Sequence, residues 1–338
     1  MVAVSQDSQK ILAVDEGIPT IDMSLDRSRV SSEIVKACET VGFFKVVNHG
    51  VDPRVISAME QESIAFFSKP AHEKHSVGPA NRPFGYGFSD IGHKGDTGEV
   101  EYLLLQPNPS FVSLLSPSIS THPLKFSSAV NCYVEAIEQL ACEILELTAE
   151  GLRVPPHTFS RLIRAVDSDC VLRLNHYPPS DQLLTGEKLS DWSTSLPRVG
   201  FGAHTDPQIL TVLRSNGVEG LQVATSDGSW VPVSPDTSAF CVNVGDLLQV
   251  MTNGRFKSVR HRAVTTRQGR RMSTAYFAGP PLSERISPLP DVSAEQPRRE
   301  YRSFTWADYK NLAYSLRLGD DRLTLVRACT DDHTPIAF

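Results

Sequence analysis

The apolar positions change period once along the chain, near residue 170. Between residues 27 and 41, Val30, Ile34, Ala37, Cys38 and Val41 fall at helical spacing, and Gly42 ends the stripe. Phe43 to Asn48 reads as a short buried strand. Asp52-Pro53 then offers an N-cap and a first-turn proline for a helix carrying Val55, Ile56, Met59, Ile64 and Phe67. The glycine-rich run from Pro83 to Gly98 predicts a loop or bulged hairpin, and Glu101 to Leu105 a strand. A stripe of Val130, Tyr133, Val134, Ile137, Leu140, Ala141, Ile144 and Leu145 predicts one long helix, Leu124 to Leu152.

Beyond residue 170 the runs become short and strand-like: Val171–Tyr177, Phe201–His204, Ile209–Leu213, Leu221–Val223, Trp230–Val233, Phe240–Val244, Ser258–Val264 and Met272–Phe277. Gly, Pro, Asn or Asp separates them, which predicts a sandwich, jelly roll or barrel rather than βαβ units. Ser180–Arg198 is the one long linker candidate. After the proline-rich Pro280–Pro297, Thr305-Trp306-Ala307-Asp308 forms a capping-box pattern for a last helix running to Gly319. The fold class that emerges is mainly β with flanking helices and a helical N-terminal part.

Composition narrows the partners. A chain of 338 residues with 40% hydrophobic positions can build a large core and leaves one domain or two open. With 33 basic against 39 acidic residues the net charge is −6, which lacks the footprint of a general nucleic-acid binder. Cys38, Cys132, Cys142, Cys170, Cys241 and Cys329 include no CxxC pair, as expected of reduced thiols. The first twenty residues hold neither a signal h-region nor a membrane span, so the chain reads as cytoplasmic with no membrane partner.

The chemistry concentrates after residue 170. His204-Thr205-Asp206 sets an imidazole and a carboxylate at i and i+2, on one face of a strand and able to reach one ion. Alone, such a pair is ordinary for this composition. His261 lies in a later strand-like run, and two imidazoles with one carboxylate form the facial triad of non-haem Fe(II), leaving three octahedral positions open for a bidentate keto acid and O2. Zinc with one open position fits the same ligands, so a jelly-roll binding module or a zinc hydrolase is the alternative at this point. Arg271 and Ser273, again i and i+2, can converge on the distal carboxylate of a dicarboxylic keto acid, a task suited to a bidentate guanidinium. Tyr177, in Asn175-His176-Tyr177-Pro178, can donate to the same carboxylate; its bland reading is a core tyrosine.

These residues together resemble the plant 2-oxoglutarate- and Fe(II)-dependent dioxygenases, whose core is a double-stranded β-helix (jelly roll), and the resemblance covers nearly the whole chain. Gly42 to Gly50 resembles the family's N-terminal part, in which His49 is not implied as a ligand. Within the family the chain is most similar to the gibberellin 2-oxidases acting on C19 gibberellins. Glu101–Leu105, His204–Ile209, Val212–Asn216, Asn243–Asp246 continuing into Gln249–Val259, Phe304-Thr305-Trp306 with Tyr309-Lys310, and Leu318-Gly319-Asp320 carry that similarity.

The resemblance implies Fe(II) on His204, Asp206 and His261, with Asn175, Tyr177, Arg271 and Ser273 holding 2-oxoglutarate, and activity depending on Arg271. It implies consumption of O2, release of succinate and CO2, and 2β-hydroxylation of a gibberellin to the inactive hormone, with ascorbate as reductant in vitro. A related oxygenase of another hormone or of a phenolic or terpenoid metabolite shares the same core. Lys310 and Tyr314, i and i+4 on the last helix, are expected to meet the substrate, Lys310 beside its carboxylate. Two positions depart from the family pattern: Ala203 replaces a usual Glu before the iron motif, and Phe88-Ser89-Asp90 replaces a basic pair. The expected division is an N-terminal region over 1–165, a catalytic core over 166–290 and a covering tail over 291–338.

Overall fold

The computed structural model describes residues 18–78, 84–91, 95–179, 198–266, 269–293 and 298–328. Pro83, Cys329 and all of the linker candidate Ser180–Arg198 except Arg198 lie outside the described residues. The chain opens with β1 (Thr20–Asp22), α1 (Arg27–Thr40), β2 (Phe43–Val47), α2 (Pro53–Phe67) and α3 (Ala71–His75). Asp26 accepts from the Ser28 N–H to cap α1, and Asp52 caps α2 through Arg54 with Pro53 in the first turn, as the sequence predicts. At Gly42 the backbone has φ +71°, and a Cβ would stand 2.1 Å from the Lys257 carbonyl oxygen, so only glycine fits.

A hairpin of β3 (Gly85–Asp90) and β4 (Thr97–Leu105) follows, its register shifting between Phe88 and Asp90, the expected bulge. Next come α4 (Pro109–Ile119), α5 (Pro123–Gly151) and α6 (His157–Ile163). The long helix α5 packs on α1, α2, α4 and α6 and buries Tyr133, Ile137, Leu140 and Ile144. Hydrophobic periodicity missed α4 because it buries only Val112, Ser116 and Ile119; Asn108 capping Ser110 and Phe111, with Pro109 behind it, marks its start instead.

The β-rich half comprises β5 (Val171–Tyr177), β6 (Val199–His204), β7 (Leu210–Ser215), β8 (Leu221–Ala224), β9 (Trp230–Pro232), β10 (Phe240–Val244), α7 (Asp246–Met251), β11 (His261–Val264) and β12 (Arg271–Ala278). The strand expected from Ser258 starts only at His261. The Lys257 N–H bonds the Cys38 carbonyl and the Ser258 N–H bonds Gln249 Oε1 at 2.6 Å, so neither joins the ladder. The chain closes with β13 (Arg285–Ile286), α8 (Pro290–Ser293), β14 (Phe304–Thr305) and α9 (Trp306–Ser315). The capping box of Thr305 and Asp308 is formed, but α9 stops short of Gly319 because Leu316 is extended and the Leu318 N–H bonds Asp96 at 2.7 Å.

Two sheets build the jelly roll. The larger runs β1-β2-β10-β7-β12-β5-β4-β3 and the smaller β6-β11-β8-β9. Strands before residue 166 thus bond directly to strands after it, β2 to β10 and β4 to β5. The larger sheet lies against the helices, with α5 touching β7 and β12, and its other face lines a cleft shared with the smaller sheet.

Candidate metal and keto-acid site

His204 and His261 are cross-strand partners on β6 and β11, and Asp206 lies just past the end of β6. Both imidazoles turn Nε2 toward one carboxylate oxygen: Asp206 Oδ1 is 3.5 Å from His204 and 3.6 Å from His261. One ligand atom from each of the three residues lies within 4.8 Å of the others. The far sides of the rings are already held. His204 Nδ1 is 2.8 Å from the Gly202 carbonyl and His261 Nδ1 is 3.2 Å from that of Val259, contacts that place the proton on Nδ1 and leave the Nε2 lone pair free.

Asp206 is held in the same sense. Its Oδ2 accepts from Thr211 Oγ1 at 2.6 Å and from Asn243 Nδ2 at 2.8 Å, so Oδ1 is the oxygen left for an ion. Burial on its own raises the Asp206 carboxyl, but His261, His204 and Thr211 beside it hold it well below the usual carboxylate range. Burial, reinforced by His204, pushes the His261 imidazole down to about 4, so the ring is a neutral donor near pH 7. This donor set fits a divalent transition metal, with a facial N,N,O arrangement and the remaining positions toward the cleft.

The cleft occupies about 540 Å³ and takes its polar lining from the triad and from the inner face of β5 and β12. In their antiparallel register Arg271 stands opposite Tyr177 and Ser273 opposite Asn175, which brings together all four residues expected to hold the keto acid. Asn175 Nδ2 lies 3.4 Å from Ser273 Oγ, Arg271 Nη1 lies 3.3 Å from the same hydroxyl, and the Arg271 guanidinium carbon is 5.0 Å from the Tyr177 ring centre. Gly200 makes room for that ring: a Cβ there would come within 2.6 Å of Tyr177. Arg271 is 3% exposed, its Nε meets no hydrogen-bond partner, and no carboxylate pairs with it among the described residues. Burial lowers the guanidinium below its ordinary value, with Tyr177 acting in the opposite sense.

Lys310 is placed differently from the expectation. Its Nζ sits 2.7 and 2.8 Å from the two Asp169 oxygens, outside the cleft lining, so its charge is neutralised by the chain itself. Asp169 also accepts from Trp306 Nε1, which ties α9 to the start of β5. Tyr314 is 44% exposed and likewise outside that lining. Ala203 precedes His204 on β6, its side chain on the opposite face by alternation. Of the second departure, Phe88 is exposed, while the Asp90 carbonyl accepts from Tyr102 OH at 2.8 Å.

Residues that the sequence reading passed over surround the triad. Thr211 and Asn243 fix Asp206, and the fully buried Asp246 joins three segments. Its carboxylate accepts from Ser258, Tyr309 and Thr205 at 2.6, 2.8 and 3.2 Å, and its N–H donates to the Asp206 carbonyl. Burial raises the Asp246 carboxyl despite these donors. Asn243 and Asp246 stood inside a block that resembles the family, without a role assigned; their spacing carries no metal-ligand signal.

Comparison with known proteins agrees with this geometry. Residues 168–280 match the model of the 2OG-Fe(II) oxygenase superfamily, and residues 18–108 match the N-terminal model described as non-haem dioxygenase in morphine synthesis. Gibberellin 2-beta-dioxygenase 4 of Arabidopsis thaliana is 68% identical over 96% of this chain and 99% of its own length. Gibberellin 2-beta-dioxygenase 2 of Oryza sativa is 49% identical over 92% and 87%. Among solved structures, JOX2 in complex with 2OG, Fe and JA superposes with TM-score 0.78 at 26% identity, covering 92% of this chain and 89% of that one. The rice dioxygenase for auxin oxidation gives TM-score 0.75 at 27% identity over 92% and 100%. No described helix is long and apolar enough to cross a membrane. With its His204–Asp206–His261 triad, its buried Arg271 and these relatives, the chain belongs to the gibberellin 2-beta-dioxygenases of the 2OG-Fe(II) oxygenase superfamily.

Proposed function

We propose that this chain is a cytoplasmic enzyme that hydroxylates C19 gibberellins at the 2β position, inactivating the hormone, with Fe(II), 2-oxoglutarate and O2. The observation that carries the reading is the pairing, in one cleft, of a His204–Asp206–His261 triad with a buried Arg271 that has no carboxylate partner among the described residues. A zinc hydrolase has no use for the second feature.

His204, Asp206 and His261 would hold the iron, which with 2-oxoglutarate supplies the oxidising chemistry. Thr211 and Asn243 keep the Asp206 carboxylate turned so that one oxygen faces the ion, and the carbonyls of Gly202 and Val259 fix the two rings. Arg271, Ser273 and Tyr177 would take the distal carboxylate of 2-oxoglutarate, with Asn175 orienting Ser273. A salt bridge to Arg271 in so buried a place would also fix the keto acid's direction relative to the triad. Phe201, Leu213, Leu221 and Ala263 give the rest of the cleft an apolar wall for a tetracyclic diterpenoid and keep water from the reacting carbon.

The test is product identification. The purified enzyme is incubated with Fe(II), ascorbate, 2-oxoglutarate and a panel of C19 and C20 gibberellins. The expected result is one oxygen gained at C2 of a C19 gibberellin with one succinate per product. Oxidation of a different metabolite, with every gibberellin returned unchanged, would overturn the substrate assignment.

A further inference from the structure

The cleft contains a second arginine that the cosubstrate does not account for. Arg173 lies on β5 two residues before Asn175 and four before Tyr177, hence on the same inner face. Its guanidinium carbon is 3.9 Å from the Tyr102 ring centre and 4.7 Å from that of Phe201, so the cation stacks on two aromatic rings. Nε donates to Asn175 Oδ1 at 2.7 Å, while the buried Nη2 has no hydrogen-bond partner. No carboxylate pairs with Arg173 among the described residues. Phe201 in turn packs on His204, with ring centres 4.6 Å apart, so Arg173 stands one aromatic ring away from the metal ligands.

Charge makes the gap specific. The third arginine of the lining, Arg262, alternates to the other face of β11, where it bonds Gln222 and stacks on Trp230. Among the described residues lining the cleft, that leaves Asp206, Arg173 and Arg271 as the acidic and basic side chains facing it, apart from the two metal-ligand histidines. Adding a divalent metal and the dianion of 2-oxoglutarate leaves one positive charge uncompensated, and Arg271 has then met its carboxylate. We propose that Arg173 is the anchor for the carboxylate of the substrate, clamping it from the Tyr102–Phe201 wall. The anchor faces a rigid ring system whose carboxylate and oxidised carbon stand at a fixed offset, so anchoring the first aligns the second with the metal. Lys310, the cation the sequence favoured, is neutralised by Asp169 and is not needed for this role. The inference rests on the gibberellin reading above.

The experiment measures binding of a C19 gibberellin acid and of its methyl ester to the anaerobic Fe(II)–2-oxoglutarate enzyme by titration calorimetry. Wild type, Arg173→Gln and Arg173→Lys are compared, with 2-oxoglutarate affinity and iron content measured on each. Wild type is expected to bind the acid about 10- to 100-fold more tightly than the ester, the range of a charge-assisted carboxylate contact. Arg173→Gln should bring the acid down to the ester's affinity and leave iron content unchanged; because Arg173 Nε also donates to Asn175 Oδ1, 2-oxoglutarate affinity should fall too, but by less than that of the acid. Arg173→Lys should recover part of the preference, because it keeps the charge and loses the planar fork. Retained discrimination in Arg173→Gln, or a loss that falls on 2-oxoglutarate instead, overturns this proposal alone. Failure of wild type to bind any gibberellin overturns the substrate reading beneath it. If Arg173→Gln does not fold, Arg173→Lys decides: an undiminished acid preference there contradicts the clamp.

Discussion

On the outward face of β5, His176 Nδ1 lies 2.7 Å from Glu101 Oε1, and the other Glu101 oxygen receives Lys74 Nζ and Tyr86 OH, each at 2.6 Å. On the inward face, Arg173, and Arg271 on the adjoining strand β12, each keep a buried guanidinium nitrogen with no hydrogen-bond partner among the described residues. The same strand therefore buries charge on both sides, fully paired on one and unpaired on the other. Burying an ion without a partner is costly, and inside a cleft such a group is a candidate for completion by a ligand. The paired cluster instead locks α3, β3, β4 and β5 together, so the strand that presents Asn175 and Tyr177 to the cleft is held from behind.

That contrast yields tests of decreasing size. Asp206→Ala should remove bound Fe(II), read by metal analysis, and lower turnover by roughly 10³-fold or more, because it deletes the one anionic ligand. The metal-free variant should lose only modest stability, that of the hydrogen bonds Asp206 accepts from Thr211 and Asn243. Glu101→Leu should do the opposite. Leaving Lys74 buried without its counter-charge should cost about 3–5 kcal/mol in denaturant unfolding, while the folded fraction keeps its iron and its 2-oxoglutarate affinity. Asn243→Ala removes a donor to Asp206 Oδ2 and should weaken iron binding by about 10- to 100-fold with little change in melting.

The smallest effect is on acid stability. Burial pushes the Glu101 carboxyl up, but His176, Lys74 and Tyr86 more than offset it, so the folded value lies below the ordinary one. A depressed folded value adds stability above the unfolded carboxyl's pKa, about 4.3 for glutamate, and loses it as pH falls through the folded value. Melting temperature should therefore fall with acid below about pH 4.3, and Glu101→Leu should flatten that limb.

How far the sequence reaches follows from the same physics. Alternation on strands and i, i+2 pairs are local, so His204 with Asp206 and Arg271 with Ser273 were legible, and the resemblance supplied the partners across the sheets. The strands from β5 to β12 were legible too, except where side-chain acceptors such as Gln249 capture a backbone N–H and delay β11, whereas the two- and three-residue β1, β13 and β14 are too short to show an alternation. Asp246 was not legible, because its role arises from Ser258, Tyr309 and Thr205, which meet only in the fold. For Lys310, helical spacing gives the face the lysine lies on, and only the fold shows the Asp169 carboxylate that pairs with it. Arg173 shares its alternation with Asn175 and Tyr177, a signal present in the sequence and passed over.

The central claim is that the unpaired arginines are ligand sites rather than structural ones, and Arg271 tests it most directly. Thermal melting of wild type and Arg271→Met is followed in Fe(II) without O2, with and without saturating 2-oxoglutarate. Ligand that binds only the folded state raises the melting temperature, and removing an uncompensated buried charge does not lower it. The account predicts that Arg271→Met melts at or above wild type without ligand and loses the upward shift with 2-oxoglutarate. A variant that melts well below wild type yet keeps the full shift would contradict it.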